Sequence, residues 1–564
     1  MTPDGNTQQV AAASGLFGVV SSSSAYTEAG NDLKRIVGPP GCGKTTWLSK
    51  RVRAAAEQYG PQGALVCSLT KAAAREAGGR EDLGILDPEM VGTLHAHAYR
   101  ALGRPRLFDA KAVQAWNAEN PAQQLSGGLD EQDETGGKVA KAAGDRLLAR
   151  YDLARARRVD PLAMPADVAA FGARYRAFKA DAEVVDFTDL IELAIHNLPL
   201  PPHGPSVIYV DEAQDLSRLE LELVESWIPH VEHVRLVGDA DQALYCWRGA
   251  DPAVLGGVPD HVLSQSYRVP AAVHEVALQW IGRSSSHQPI EYRPTSEPGA
   301  VSRITVGYRQ PEGLLPLIEE RLSAGESVML LGACSYMLDP VCKVLRSAGI
   351  PYHNPYAARW NPLTPSAGLS ARDRVLAFVR AETLADFKAF VPLLRTCDKD
   401  GSGPLVRGAK AAIEDLADDA SEADAARVIW AAFKPEALPY LNRTGGDLNK
   451  ALSWFADNLL PSRGDTAQFP LHILRQRGIA ALEAEPEPVH RRGWVVVGTA
   501  HSVKGGEADV VVVWPDLSPS GWSEMQTPGW AHRDAIWRLF YVAATRARRE
   551  LVIGAPSGGC CVQI

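Results

Sequence analysis

The chain has 564 residues, 46% of them hydrophobic and 22% charged, enough apolar material for more than one core and too ordinary a balance for a disordered polymer. Its net charge of −9 excludes a protein that coats duplex nucleic acid by overall charge, so any such binding must use a local groove. No apolar run approaches the roughly 18 residues that span a bilayer, and the N-terminus lacks a secretory pattern.

In chain order, residues 1–30 are small, polar and Ser-rich, which predicts a mobile tail. From "LKRIVGPPGCGKTTWLSKRV" onward, short β-branched runs alternate with helical patterns. "GALVCSL", "SVIYVDE", "HVRLVGD", "SVMLLGA", "WVVVGTA" and "DVVVVWP" read as strands of parallel sheets buried on both faces, an α/β fold class. Two long helical stretches interrupt the pattern, residues 100–184 and 356–490, each long enough to be an inserted subdomain. Their charge runs, such as "IEDLADDASEADAA", read best as solvated helix faces. Eight scattered cysteines (42, 67, 246, 334, 342, 397, 560 and 561) lack zinc-like spacing, which predicts reduced thiols in a cytoplasm, bacterial or phage-infected, and no structural metal. The final "CVQI" has Gln where a prenylation box has an aliphatic residue, so no membrane anchor is expected.

"GPPGCGKT" at 38–45 fits G-x-x-x-x-G-K-[ST] and stands between a strand pattern and a helix pattern, the context a phosphate loop requires. Gly38, Gly41 and Gly43 let backbone N–H groups point at phosphate oxygens, helped by the positive end of the following helix. Lys44 would reach the β- and γ-phosphates, and the Thr45 hydroxyl, next to Thr46, would bind Mg²⁺. In "VIYVDEAQD" the apolar run brings Asp211 and Glu212 to a strand's C-terminal end, where Asp211 would hold Mg²⁺ and Glu212 would polarise an attacking water. Alone, an Asp-Glu pair there is more often a helix N-terminal charge cluster; beside a phosphate loop it points to hydrolysis of a nucleoside triphosphate.

Ten blocks in order, among them "GPPGCGKTTWLSKR", "GTLHAHAYRAL", "VDFTDLIELA", "VIYVDEAQDLS", "VGDADQALYCWRGAD", "LSQSYRVP", "VGTAHSVKGGEADVVVV" and "RLFYVAATRARREL", resemble the superfamily 1 helicases of the UvrD/Rep/PcrA type from about residue 35 to 555. The resemblance implies two RecA-like P-loop motor domains, the first from 31–99 and 185–264, the second from 265–355 and 491–556. The helical insertions fall at 100–184 and 356–490, and 557–564 is left as a tail with no room for a C-terminal nuclease. It implies an ATP- and Mg²⁺-dependent, 3′-to-5′ DNA helicase or translocase acting on single-stranded DNA and single-strand/duplex junctions. Gln242 would sense the γ-phosphate, and Arg268 and Arg546 would be arginine fingers from the second motor. Tyr267 would stack on adenine with Arg51 opposite, and Glu507 would meet the ribose. Asp239, Asp241 and Gln242 would face the ATP cleft, while Tyr245 and Trp247 would stack on bases. Arg248, Thr70, Thr93, His95 and His501 match positions along the same groove, although lone histidines are more often structural. Two departures stand out: the segment before the phosphate loop, "VVSSSSAYTEAG", lacks the family's adenine-reading Gln, and Leu69 and His97 stand where aromatics are common. A DNA-stimulated ATPase switch without processive unwinding is the alternative activity. A small-molecule P-loop kinase would leave Trp247, Arg268 and Arg546 unexplained.

Overall fold

The computed structural model describes residues 32–68, 84–127, 142–353, 369–396, 403–441, 447–483, 494–527 and 530–564. Two six-stranded sheets organise them. The first contains β1 (Asp32–Val37), β2 (Ala64–Cys67), β3 (Val91–Gly92), β4 (Val207–Val210), β5 (His233–Gly238) and β6 (His261–Val262). Their order is β3-β2-β4-β5-β1-β6, and every pair is parallel. β2 and β4 are buried at all their residues, as the unbroken apolar runs "ALVC" and "VIYV" require. Because β4, β5 and β1 are neighbours running the same way, their C-terminal ends share one edge, and the three loops leaving them meet there.

The second sheet contains β7 (Ala300–Arg303), β8 (Val328–Gly332), β9 (Tyr352–His353), β10 (Val495–Thr499), β11 (Ala508–Val513) and β12 (Ala547–Ile553). Its order is β7-β12-β11-β8-β10-β9, again parallel throughout. The chain is thus α/β with two RecA-like lobes, the class expected from the sequence. Five helices matter below: α1 (Lys44–Tyr59), α2 (Leu94–Ala101), α3 (Phe187–Asn197), α4 (Ala271–Ile281) and α5 (Trp530–Ala544). α4 packs on α5 in the second lobe, with the Trp280 ring edge-on to Phe540 at 6.0 Å.

The helices between β3 and β4 build a small core of their own. The Trp116 ring sits 5.6 Å from Phe171 and 5.5 Å from both Tyr175 and Phe178, all edge-on, the arrangement aromatic quadrupoles prefer. Beneath it, the buried cations Arg155 and Lys179 bind Asp186 and Asp189 at the start of α3, so no charge is left uncompensated. The helices between β9 and β10 behave differently. Phe378, stacked on Phe455 at 4.0 Å, belongs to the same continuous core as β8, β10 and β11, so this insertion shares its core with the lobe that carries it. Residues 557–564, expected as a tail, are pinned to the second lobe: Leu517 N donates to Cys560 O (2.7 Å) and Val562 N to Pro515 O (3.0 Å). Among the described residues no helix is long and apolar enough to cross a membrane.

Candidate functional site

The loop from β1 into α1 turns through left-handed backbone at Gly41 (φ 76°) and Gly43 (φ 74°). Gly41 is needed for a second reason: a Cβ there would lie 2.6 Å from Arg268 Cβ and 2.7 Å from Ser266 Oγ, both in the chain leading into the second lobe. α1 starts at Lys44 with no side-chain cap and no acidic residue in its first turn, which leaves its N-terminal N–H groups available to an anion. Lys44 Nζ donates to Gly38 O at 2.7 Å. Thr45 follows, and Thr46 beyond it is exposed.

At the end of β4, Glu212 is held at φ 53°, a strained value for a residue with a side chain, and its N–H donates to Asp211 Oδ1 at 3.0 Å. Burial, then the charge of Glu212, push Asp211 up to about 7, although Lys44 opposes them. Burial would also raise Glu212, but Lys504, Lys44, the Gln214 amide and Arg546 overcome it and hold the carboxyl down to about 2. The two carboxylates therefore have opposite characters, one ready to share its charge with a cation, the other fixed as an anion.

From Glu212 a continuous chain of hydrogen bonds runs to the second lobe. Gln214 Nε2 donates to Glu212, and Gln214 Oε1 accepts from Asp239 N at 2.9 Å. Asp239 Oδ2 accepts from Gln242 Nε2 at 2.7 Å, and Gln242 Oε1 accepts from Arg546 Nη2 at 3.2 Å. Arg546, 1% exposed, is aimed by two further bonds, Nε to Val542 O (2.9 Å) and Nη1 to Gly506 O (3.3 Å). A second cation crosses the same gap. Lys504 Nζ pairs with Asp215 and lies 3.5 Å from Glu212 Oε2.

Arg268 and Glu507, assigned from the sequence to phosphate and ribose, are brought together: Arg268 Nε donates to Glu507 Oε2 at 2.6 Å, and Arg548 Nη1 reaches the other oxygen at 3.3 Å. Tyr267 N donates to Gly41 O at 2.9 Å, while its ring is 77% exposed beside Gly43. Arg51 lies on a neighbour in its own helix, its Cζ 5.4 Å from the centre of the Trp47 ring.

On the far side of the 238–251 loop, Tyr245 and Trp247 are half-buried and Arg248 is exposed. Tyr245 faces Lys504 (5.6 Å to the ring centre), Arg248 (5.9 Å) and the His501 ring (6.0 Å). The Trp247 Nε1 is shielded and has no hydrogen-bond partner among the described residues. His501 is buried with Nε2 3.3 Å from Leu244 O, a contact between the lobes. Thr93 caps α2, accepting from Ala96 N at 3.1 Å, and His95 Nδ1 stands 3.5 Å from Glu220. His97 is buried between Val66 O (3.2 Å) and Arg100 (3.1 Å), and burial pushes it down to about 4, so it is a neutral part of the fold. Thr70 and Leu69 lie outside the described residues.

Sequence reasoning passed over three residues of this site. Gln214 and Lys504 stand inside quoted blocks, "VDEAQD" and "VKGGEAD", but only their contacts reveal them. Phe187, in "VDFTDL", is 64% exposed and edge-on to His95 at 5.9 Å, on the same face as the groove residues.

Asp211 could hold a divalent cation: it is buried with a charge its surroundings disfavour, which a dication would relieve, and the Thr45 hydroxyl beside the phosphate loop is the second candidate ligand. No group of three or more His, Cys, Asp or Glu suited to a metal occurs among the described residues.

Residues 22–261 match the family model of the UvrD/REP helicase N-terminal domain. The chain is similar to the ATP-dependent DNA helicase PcrA of Leuconostoc citreum, 28% identical over 287 residues, which cover 45% of this chain and 38% of the relative. It is 26% identical over 276 residues to PcrA of Bacillus subtilis strain 168, covering 44% and 37%. With the ATP-dependent DNA helicase UvrD2 of Mycobacterium tuberculosis H37Rv it shares 28% identity over 185 residues, covering 29% and 26%. The chain thus spans between about a quarter and two fifths of the length of these relatives.

Proposed function

We propose that this chain, similar over its first half to the UvrD/REP helicases, is an ATP-dependent DNA helicase or single-strand translocase of superfamily 1. In this reading the two lobes are paired motors, moving 3′ to 5′ on single-stranded DNA and at junctions with duplex in the cytoplasm. The observation that carries it is the hydrogen-bond chain from Glu212 through Gln214, Asp239 and Gln242 to Arg546. It ties the carboxylate that would polarise the attacking water in one lobe to a candidate arginine finger in the other, so hydrolysis and lobe movement cannot be independent.

The triphosphate lies on the N-terminus of α1, with Lys44 on its β- and γ-phosphates. Mg²⁺, held by Thr45 and Asp211, would neutralise charge on the phosphate oxygens. Glu212, held as an anion, orients and polarises a water whose oxygen forms the new bond to the γ-phosphorus while the bond to the β–γ bridging oxygen breaks, and the proton released leaves with the phosphate. Arg546, and Arg268 once it leaves Glu507, stabilise the charge that spreads over the transferring phosphoryl group. Gln242, bonded to Arg546, registers whether that group is present. Tyr245 and Trp247, on the same loop, offer ring faces on which any base can stack, as a motor indifferent to sequence requires. Without the usual upstream Gln, other triphosphates are accepted beside ATP.

The test is hydrolysis of the four triphosphates with single-stranded DNA, duplex DNA or RNA, and strand displacement from a 3′-tailed duplex. Stimulation by single strands with displacement, both abolished in Lys44→Ala, supports the reading. Stimulation without displacement identifies an ATPase switch, and hydrolysis indifferent to nucleic acid overturns the assignment.

A further inference from the structure

One polar contact between the lobes is not used by this mechanism. The loop after α4 is locked onto α5: Ser285 N and Ser286 N donate to the Asp534 carboxylate at 2.8 and 3.1 Å, and Arg538 Nη2 donates to Ser286 Oγ at 2.6 Å. Asp534 and Arg538 stand one turn apart on the helix that leads directly to Arg546. The next loop residue, His287, reaches across to the first lobe, its Nδ1 2.6 Å from Asp241 Oδ2. Asp241 belongs to the turn that presents Gln242, and Asp239 binds both: Asp241 N donates to Asp239 Oδ1 at 3.0 Å, and Gln242 Nε2 to Asp239 Oδ2. His287, in a loop bound to α5, and Arg546, just beyond the end of α5, therefore grip neighbouring residues of one turn.

Resting on the reading of Gln242 given above, we propose that His287 is a positioning residue: by donating to Asp241 it sets the 239–242 turn against the arm that carries Arg546, more firmly when the imidazole is charged. The charges acting on it are those of Asp241 and Asp239 from the first lobe; Asp534 and Arg538 of α5 bind its neighbours Ser285 and Ser286, and Arg538 also donates to Cys246 Sγ at 3.7 Å. The bond to Asp241 raises His287 above its ordinary range despite burial, with the charges of Asp241 and Asp239 adding to the effect. The charged contact is therefore complete below the ordinary histidine range and fades as pH rises through the elevated one. A neutral imidazole keeps a weaker bond, so docking is graded rather than lost.

The experiment uses the full chain and compares wild type, His287→Asn and His287→Lys. It reads kcat for ATP with saturating single-stranded DNA from pH 6 to 9, the affinity for ADP, and the thermal midpoint. Expected for wild type is a fall in kcat toward alkaline pH. His287→Asn should lose about 3–10-fold in kcat at pH 6.5, the gap between a charge-assisted hydrogen bond and the neutral-donor bond that Asn retains, and show a flattened profile. His287→Lys, charged throughout, should hold its acid-side kcat to pH 8.5, and ADP affinity should stay within about twofold because ADP has no γ-phosphate for Gln242 to sense. Superimposable profiles, or an equal loss at every pH together with weakened ADP binding or a lowered midpoint, overturn the proposal. Turnover surviving Lys44→Ala would instead discard the ATPase reading itself, so the two failures are distinguishable.

Discussion

Replacing Lys504 with Ala removes the cation that crosses from the second lobe to two acids of the first. Lys504 is 9% exposed at its side chain, Asp215 1% and Glu212 24%, so solvent screens these charges little. At 3.5 Å the attraction to Glu212 alone is worth about 5 kcal/mol at an effective dielectric of roughly 20. Breaking a buried pair typically costs about 3–5 kcal/mol. The orphaned acids have an escape, however, because they can take up protons. Burial already pushes Asp215 up to about 6 with Lys504 in place, and its loss raises both acids further. The two acids of the folded variant then carry about one more proton between them than in wild type between pH 6 and 8, a proton the unfolded chain does not bind, and the deficit grows by about 1.4 kcal/mol for each pH unit over that window. Equilibrium urea denaturation at pH 6, 7 and 8 measures this. A deficit that widens by roughly 2–3 kcal/mol from pH 6 to 8 agrees with the charge account, whereas a deficit below about 0.5 kcal/mol at all three values refutes it, since that is the behaviour of a solvated surface pair.

Two further outcomes follow from the same geometry. Trp247→Ala should weaken single-stranded DNA binding by about 1–3 kcal/mol in a fluorescence anisotropy titration while ATP affinity holds; lost nucleotide binding would mean that the indole supports the cleft. Gly41→Ala combines a left-handed backbone with a Cβ only 2.6 Å from Arg268 Cβ, so turnover should fall at least tenfold, and ADP affinity less, because the methyl group keeps the second lobe off the loop. Wild-type turnover in that variant would show that the lobes never close so tightly.

What could be read from the sequence follows a physical divide. β2, β4, β8, β10 and β11 sit inside the sheets and advertise themselves as apolar runs, while β5 ("HVRLVG") does so only after Arg235. The edge strands β3, β6 and β9 are two residues long, and β7 ("AVSR") and the charged start of β12 ("ARRELVI") alternate too little to stand out. The phosphate loop and the strand-end acids are local patterns whose chemistry needs residues a few positions apart, so spacing exposes them. Lys504 is 289 residues from Asp215, His287 46 from Asp241, and Gln214 25 from Asp239, and no periodicity connects such partners. The ring over which Arg51 folds was equally hidden: Trp47 lies four positions away on α1, a spacing that allows contact without announcing it.

The most direct test measures DNA-stimulated ATP turnover in Arg546→Ala against wild type, with single-strand affinity determined in parallel. An arginine finger supplied across the cleft predicts a loss of about 10³–10⁵ in kcat at unchanged DNA affinity. Turnover within a few-fold of wild type would contradict a site completed by both lobes.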